Sequence, residues 1–250
     1  MKKQSLIYTL CFLVIGNICL AGDGDKKNTL EIHAKASANS TFLFNNNISD
    51  AGDDQDYAAG WSLHYGGGVS MYFGNVGFGV EGLLGNHRAA YAGTFTTKDA
   101  AGNVLSTTDY SSNVNLKITQ IPVFFKLKSD IGGYLEVGPQ YTMISEAAYH
   151  YTAAGVQLDT IMTNSFAKSY FSAVIGFGFK IPVAKSNFAI LGGARLQYAF
   201  SDIQGVDALG REFANPFIYK QGAETTTGAT AGLMLGVVYT LGNKEKAAAK

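Results

Sequence analysis

The chain predicts an all-β fold: an eight-stranded antiparallel up-and-down transmembrane β-barrel. Three observations predict it. Eight segments alternate apolar and polar residues with period two, which is strand chemistry and not helix chemistry. The gaps between them are short and long in strict turn. A secretory leader stands before them all.

The leader spans 1–21. Lys2 and Lys3 are its positive start, Leu6 to Leu20 are mostly apolar, and Cys19-Leu20-Ala21 offers small residues for cleavage after Ala21. The apolar run is short for a helix that crosses a bilayer, which needs roughly 20 residues. Both cysteines, Cys11 and Cys19, lie in the leader. Residues 22–241 therefore carry no disulfide or thiolate metal site. Losing Lys2 and Lys3 turns a formally neutral chain slightly acidic, so no basic field remains to attract nucleic acid. The barrel is assigned to 22–241, and 242–250 is a short polar tail.

The first strand is placed near 29–44, with Leu30, Ile32, Ala34, Ala36 and Ala38 on one face and Glu31, His33, Lys35 and Ser37 on the other. The second is near 57–73: Tyr57, Trp61, Leu63, Tyr65, Val69, Met71 and Phe73 oppose Ser62, His64 and Ser70. In the third, near 76–91, Val76, Phe78, Val80 and Leu84 oppose Gly77, Gly79 and Glu81. The fourth is near 112–128. Its apolar phase slips between Leu116 and Ile118, which are even-numbered, and Ile121, Val123, Phe125 and Leu127, which are odd. A β-bulge close to Pro122 accounts for such a slip.

The fifth strand is near 131–146, with Leu135, Val137, Tyr141 and Met143 against Glu136, Gln140 and Thr142. The sixth is near 166–181, with Phe171, Ile175, Phe177 and Phe179 against Ser172, Gly176 and Lys180. The seventh is near 187–201, with Phe188, Ile190, Leu196, Tyr198 and Phe200 against Arg195 and Gln197. The eighth is near 227–241, with Leu233, Leu235, Val237 and Tyr239 against Thr230, Gly232 and Gly236. Short turns fall at Gly74-Asn75, Ser129-Asp130 and Pro182 to Ser186. Long polar connections fall at 45–56, 92–111, 147–165 and 202–226. In outer-membrane barrels the short turns face the periplasm and the long loops face outward.

Alternation alone does not say which face is inside. Aromatics decide it. Phe73, Phe78, Phe125, Phe179, Phe188 and Tyr239 gather toward the turns. Tyr57, Trp61, Tyr141, Phe171, Tyr198 and Phe200 gather toward the loops. Two such groups read as interfacial girdles, so the apolar face meets lipid. Composition agrees: 30 glycines, 4 prolines, 12% aromatics and only 15% charged residues suit strands with one face in lipid.

The stretch Leu116-Lys-Ile-Thr-Gln-Ile-Pro-Val-Phe-Phe-Lys-Leu-Lys128, followed by Gly133-Tyr-Leu-Glu-Val-Gly-Pro139, resembles the PorT-like outer-membrane β-barrel family. Phe177-Gly-Phe-Lys180 and Leu191-Gly-Gly-Ala-Arg-Leu-Gln-Tyr198 are similar to its later strands. The resemblance implies a small outer-membrane barrel inserted by the barrel-assembly machinery. One departure is the polar tail after Leu241, where such barrels usually end in an aromatic residue.

The lumen set is Glu31, His33, Lys35, His64, Glu81, Glu136, Lys180 and Arg195. Buried charges must be paired, so a structural network outweighs an ion path or gate. Eight strands leave an interior that side chains fill, which argues against a diffusion pore. Ser62, His64 and Glu81 invite a lipid-hydrolase reading, but they share the lumen phase and no nucleophile–base pair stands out. Asp50-Ala-Gly-Asp-Asp-Gln-Asp56 lacks the ligand spacing of a calcium loop and reads as a solvated acidic loop. The expectation is a non-enzymatic outer-membrane protein without metal or cofactor. Its partners are outer-membrane lipid, the assembly machinery and a surface ligand or protein met by four long loops, with no nucleic acid. The alternatives are a narrow or gated channel and, further off, a lipid-modifying enzyme.

Overall fold

The computed structural model describes residues 28–50, 55–206 and 224–241. The leader at 1–21, the tail at 242–250 and most of the last long connection lie outside the described residues. Ten strands form one antiparallel sheet: β1 (Asn28–Phe44), β2 (Asp56–Ala58), β3 (Trp61–Phe73), β4 (Val76–Lys98), β5 (Val104–Lys128), β6 (Gly133–Ala153), β7 (Val156–Ile161), β8 (Ser169–Pro182), β9 (Phe188–Ala199) and β10 (Thr227–Leu241). Eight of them close a ring in the order β1-β3-β4-β5-β6-β8-β9-β10, and β10 pairs back onto β1. The other two, β2 and β7, pair with β4 and β6 near the loop end. The predicted eight-stranded up-and-down barrel is the observed fold.

The apolar face is outside. Ile32, Leu63, Phe78, Val123, Ile175, Phe177, Ile190 and Leu235 are all exposed, while Glu81, Glu136 and Arg195 are buried. Trp61, Phe171, Tyr198 and Phe200 stand on the exterior near the loops, with Phe78, Phe125, Phe179 and Phe188 near the turns. An apolar exterior around a charged interior is the polarity of a membrane-spanning barrel. The turn Gly74-Asn75 is tight, and Gly74 takes a φ of 65°, which glycine adopts without strain.

The bulge placed near Pro122 is corrected. Between β4 and β5 the register is constant from Val76↔Leu127 to Gly85↔Ile118. Buried and outward residues alternate without a break from Tyr110 to Leu127. Pro122 lacks an N–H and weakens the ladder around it, but it inserts no extra residue. The only shift between β5 and β6 lies elsewhere: Lys117 pairs with Glu146 and Ile118 with Ile144, leaving Ser145 as the extra residue on β6. Leu116 and Ile118 point inward like Phe124 and Lys126. The strand keeps its phase while its surroundings change.

Five further boundaries differ. The connections at 92–111 and 147–165 are largely strand: β4 and β5 pair out to Lys98↔Val104, and β7 folds back on β6. The tip of the first hairpin is closed by Asp99, whose Oδ1 accepts from the Ala101 and Asn103 amides at 2.9 and 2.8 Å. Hydrogen bonds from Asn103 hold its carboxyl below the usual range. The sixth predicted strand starts at Ser169 and not at 166, and Ile131 lies in a turn. The second predicted strand breaks at Ala59-Gly60. Tyr57 pairs with Tyr91, while Tyr65 pairs with Leu84, so one extra residue intervenes. Tyr57 therefore packs against the buried core and does not join the outer girdle.

A closed ring has no free edge inside the bilayer and resists detergent unfolding. Unboiled protein in dodecyl sulfate should migrate differently from boiled protein. A single band under both conditions, from a protein soluble without detergent, would contradict the architecture.

Candidate functional site

The interior is stacked in four layers. Nearest the turns, Lys180 bonds Glu31 and donates to the Tyr72 hydroxyl at 3.2 Å. Lys128 and Lys180 lie 4.6 and 4.7 Å from the Tyr72 ring centre. Beside them Tyr134, Leu191, Met234 and Val238 form a small apolar cluster.

The second layer holds the main charge network. Arg195 on β9 bridges two carboxylates. Its Nη1 donates to Glu81 Oε2 at 3.0 Å, and its Nε donates to Glu136 Oε1 at 3.1 Å. Lys35 donates to Glu81 Oε1 at 2.6 Å, and His33 Nε2 meets the same oxygen at 3.0 Å. Lys126 lies 3.1 Å from Glu136 Oε2 and 3.7 Å from Glu81 Oε1. Phe124 backs the cluster, with the Arg195 guanidinium 4.7 Å from its ring centre. Glu81 and Glu136 thus accept from several cations each, which is what makes buried carboxylates tolerable. Small residues make the room. A Cβ at Gly176 would sit 2.6 Å from Glu136 Oε1, and one at Gly193 would sit 2.4 Å from the Tyr134 hydroxyl.

In the third layer Gln120 and Gln140 both donate to Gln197 Oε1 at 3.0 Å, joining β5, β6 and β9 across the lumen. Gln120 also contacts His87 Nε2 at 3.2 Å, and His87 Nδ1 lies 2.8 Å from the Tyr170 hydroxyl. His64 Nε2 donates to the Asn86 carbonyl at 2.9 Å.

The fourth layer is an apolar plug at the loop end. Leu43, Ile48, Tyr91, Val114, Leu116, Ile118, Ile144, Tyr149, Phe166 and Ile203 are buried together. The outward residues at this height are Arg88, Asn113, Asn115, Lys117 and Glu146. Polarity has inverted relative to the membrane-spanning part: apolar inside, polar outside. This inversion is what the sequence presents as a slip of phase in the fourth strand.

Two interior cavities have volumes of about 10 Å³ each. Each has room for a single water. One touches Tyr72, Tyr134 and the charge network, and the other separates the glutamine layer from the plug.

All eight predicted lumen residues are inward-facing. Glu31 and Lys180 form one pair. His33, Lys35, Glu81, Glu136 and Arg195 share the main network, and His64 stands apart in the layer above. Sequence reasoning missed Lys126, Phe124, Gln120, His87 and Tyr134. The signal for Lys126 was present, because it alternates with the outward Phe125 and Leu127. His87 likewise shares parity with Glu81. The hydrolase candidates are not assembled: His64 is bound to the Asn86 carbonyl, and Glu81 is taken up by cations. Among the described residues no cluster of three His, Cys, Asp or Glu could hold a metal.

Arg195→Leu should destabilise the barrel by about 3–5 kcal/mol, the cost of leaving buried partners unpaired. Urea unfolding in lipid vesicles measures it. Lys185→Leu, on an exposed turn, should change stability little.

No protein-family model and no curated protein matches the chain. Among solved structures, it is similar to neisserial surface protein A, at 9% identity and TM-score 0.37, covering 83% of this chain and 96% of that one. It is similar to outer membrane protein OprG from Pseudomonas aeruginosa, at 13% and 0.42, covering 87% and 98%. A third is Ail, the attachment invasion locus protein of Yersinia pestis, at 12% and 0.35, covering 86% and 99%.

Proposed function

We propose that this chain is a non-enzymatic outer-membrane protein of the PorT-like type. Its filled barrel is an anchor, and its extended loop-end hairpins meet a surface ligand, a partner protein or the envelope. The outer-membrane location follows from the closed ring and its lipid-facing belt. The PorT-like part rests on two short motifs that lie on adjacent strands: Pro122 of β5 pairs with Gln140, next to Pro139 on β6.

The observation that carries the reading is the continuous filling of the lumen. A diffusing ion meets the Lys180–Glu31 pair, the Arg195 network, the glutamine layer and then the apolar plug. The two cavities among these layers have room for about one water each. Function then falls to the outer end, where β4–β5 and β6–β7 extend the sheet. A strand needs only about 9–11 residues to cross a bilayer, and β5 has 25. The surplus builds a rigid rim that positions the remaining loops, and loops on a rigid scaffold are where recognition concentrates.

In a planar bilayer the protein should give no stable ion-selective conductance. Reproducible selective steps that vanish on replacing Arg195 or Glu136 would overturn the anchor reading in favour of a channel.

A further inference from the structure

The exterior of β4 and β5 changes chemistry within one rung. Along β4 the outward residues run Val76, Phe78, Val80, Gly82 and Leu84, then Asn86 and Arg88. Along β5 they run Leu127, Phe125, Val123 and Ile121, then Thr119 and Lys117. Arg88 and Lys117 are thus the first charges above the lipid belt on their strands. They are also neighbours. Arg88 pairs with Asn115, and Lys117 pairs with Asn86, which sets the two cations diagonally across adjacent strands. Diagonal positions lie roughly 7–8 Å apart, within reach of long side chains.

Neither side chain forms a hydrogen bond or ion pair with a described residue, and both are exposed. Glu146 lies opposite Lys117 and is exposed, yet no ion pair joins them. The Ser145 bulge falls at this point, with Ser145 Oγ donating to the Lys117 carbonyl at 3.1 Å. Bulges re-aim the side chains around them. On the other flank the chain comes close at Gly60, where a Cβ would lie 2.1 Å from the Arg88 carbonyl oxygen. That contact brings the following residue, Trp61, alongside β4 with 66% of its surface exposed. Tryptophan at such a boundary marks the headgroup level of a bilayer.

We propose that Arg88 and Lys117 bind a phosphate group of the outer-leaflet glycolipid. A guanidinium offers phosphate a bidentate pair of donors, and an ammonium adds a point charge. Directly below, Leu84 and Ile121 offer apolar surface to acyl chains, with Trp61 beside Arg88 at the headgroup level. A ligand with phosphate above and acyl chains below fits this face better than a free anion does. The site rests on the proposed orientation, with the loop end outward.

The test uses the mature chain refolded in detergent, with heat-dependent migration confirming the barrel before any lipid is added. Failure at that step would sink the barrel itself; later failure sinks only the site. Affinity is then measured for phosphorylated lipid A and its dephosphorylated form. The phosphorylated lipid should bind about tenfold more tightly. The double variant Arg88→Gln, Lys117→Gln should lose that preference, while Lys185→Gln at the turn end should keep it. Equal affinity of the wild type for the two lipids would overturn the proposal. So would a preference that survives in the double variant, or one abolished by millimolar inorganic phosphate.

Discussion

Hydrocarbon offers no hydrogen bond to a peptide group, and this constraint governs the molecule. Inside a bilayer every strand must find partners on both edges, so the sheet has to close. Closure with eight strands leaves an interior that only side chains can fill. The outward face must be apolar, which sends polar residues inward, and inward charges must then satisfy one another. Arg195, held by Glu81 from β4 and Glu136 from β6, is the result. Glycines at 176 and 193 follow from it, because the large charged and phenolic groups need empty space opposite them.

Above the membrane the constraint lifts. Water now bathes the outside of β4, β5 and β6, so their outward residues turn polar and their inward residues turn apolar. Val114, Leu116, Ile118 and Tyr149 gather as an ordinary hydrophobic core. The barrel is therefore two proteins in one tube: a membrane barrel with a polar interior, capped by a soluble one with an apolar interior. The cap shuts the lumen and stiffens the rim.

Much of the fold was legible in the sequence because period-two alternation is nearly direct evidence of strand facing. The belt from Val76 to Leu84 and the inward parity of Glu81, Glu136 and Arg195 read correctly for that reason. The misreadings of phase share one cause, the assumption that apolar residues face lipid along the whole chain. Under it, Leu116 and Ile118 fall out of phase and call for a bulge at Pro122, and Tyr57 joins the girdle. The hairpins at 92–111 and 147–165 read as loops because polar residues break up their apolar pattern, and Leu105, Val156 and Ile161 face outward there. The pairings of the charges depend on shear and register between strands distant in sequence. No local pattern carries that information, so Lys126 joined the network unannounced.

The central claim is that β5 passes without a phase slip from a membrane barrel into a dry core. The described residues contain no cysteine, so single cysteines along 113–126 can be probed with a membrane-impermeant maleimide. The account predicts labelling at the outward positions 113, 115 and 117. It predicts protection at the inward positions 114, 116 and 118, and at the lipid-facing positions 121, 123 and 125. Labelling of 116, 118 and 120 from the aqueous side would reveal a water-filled lumen and contradict it.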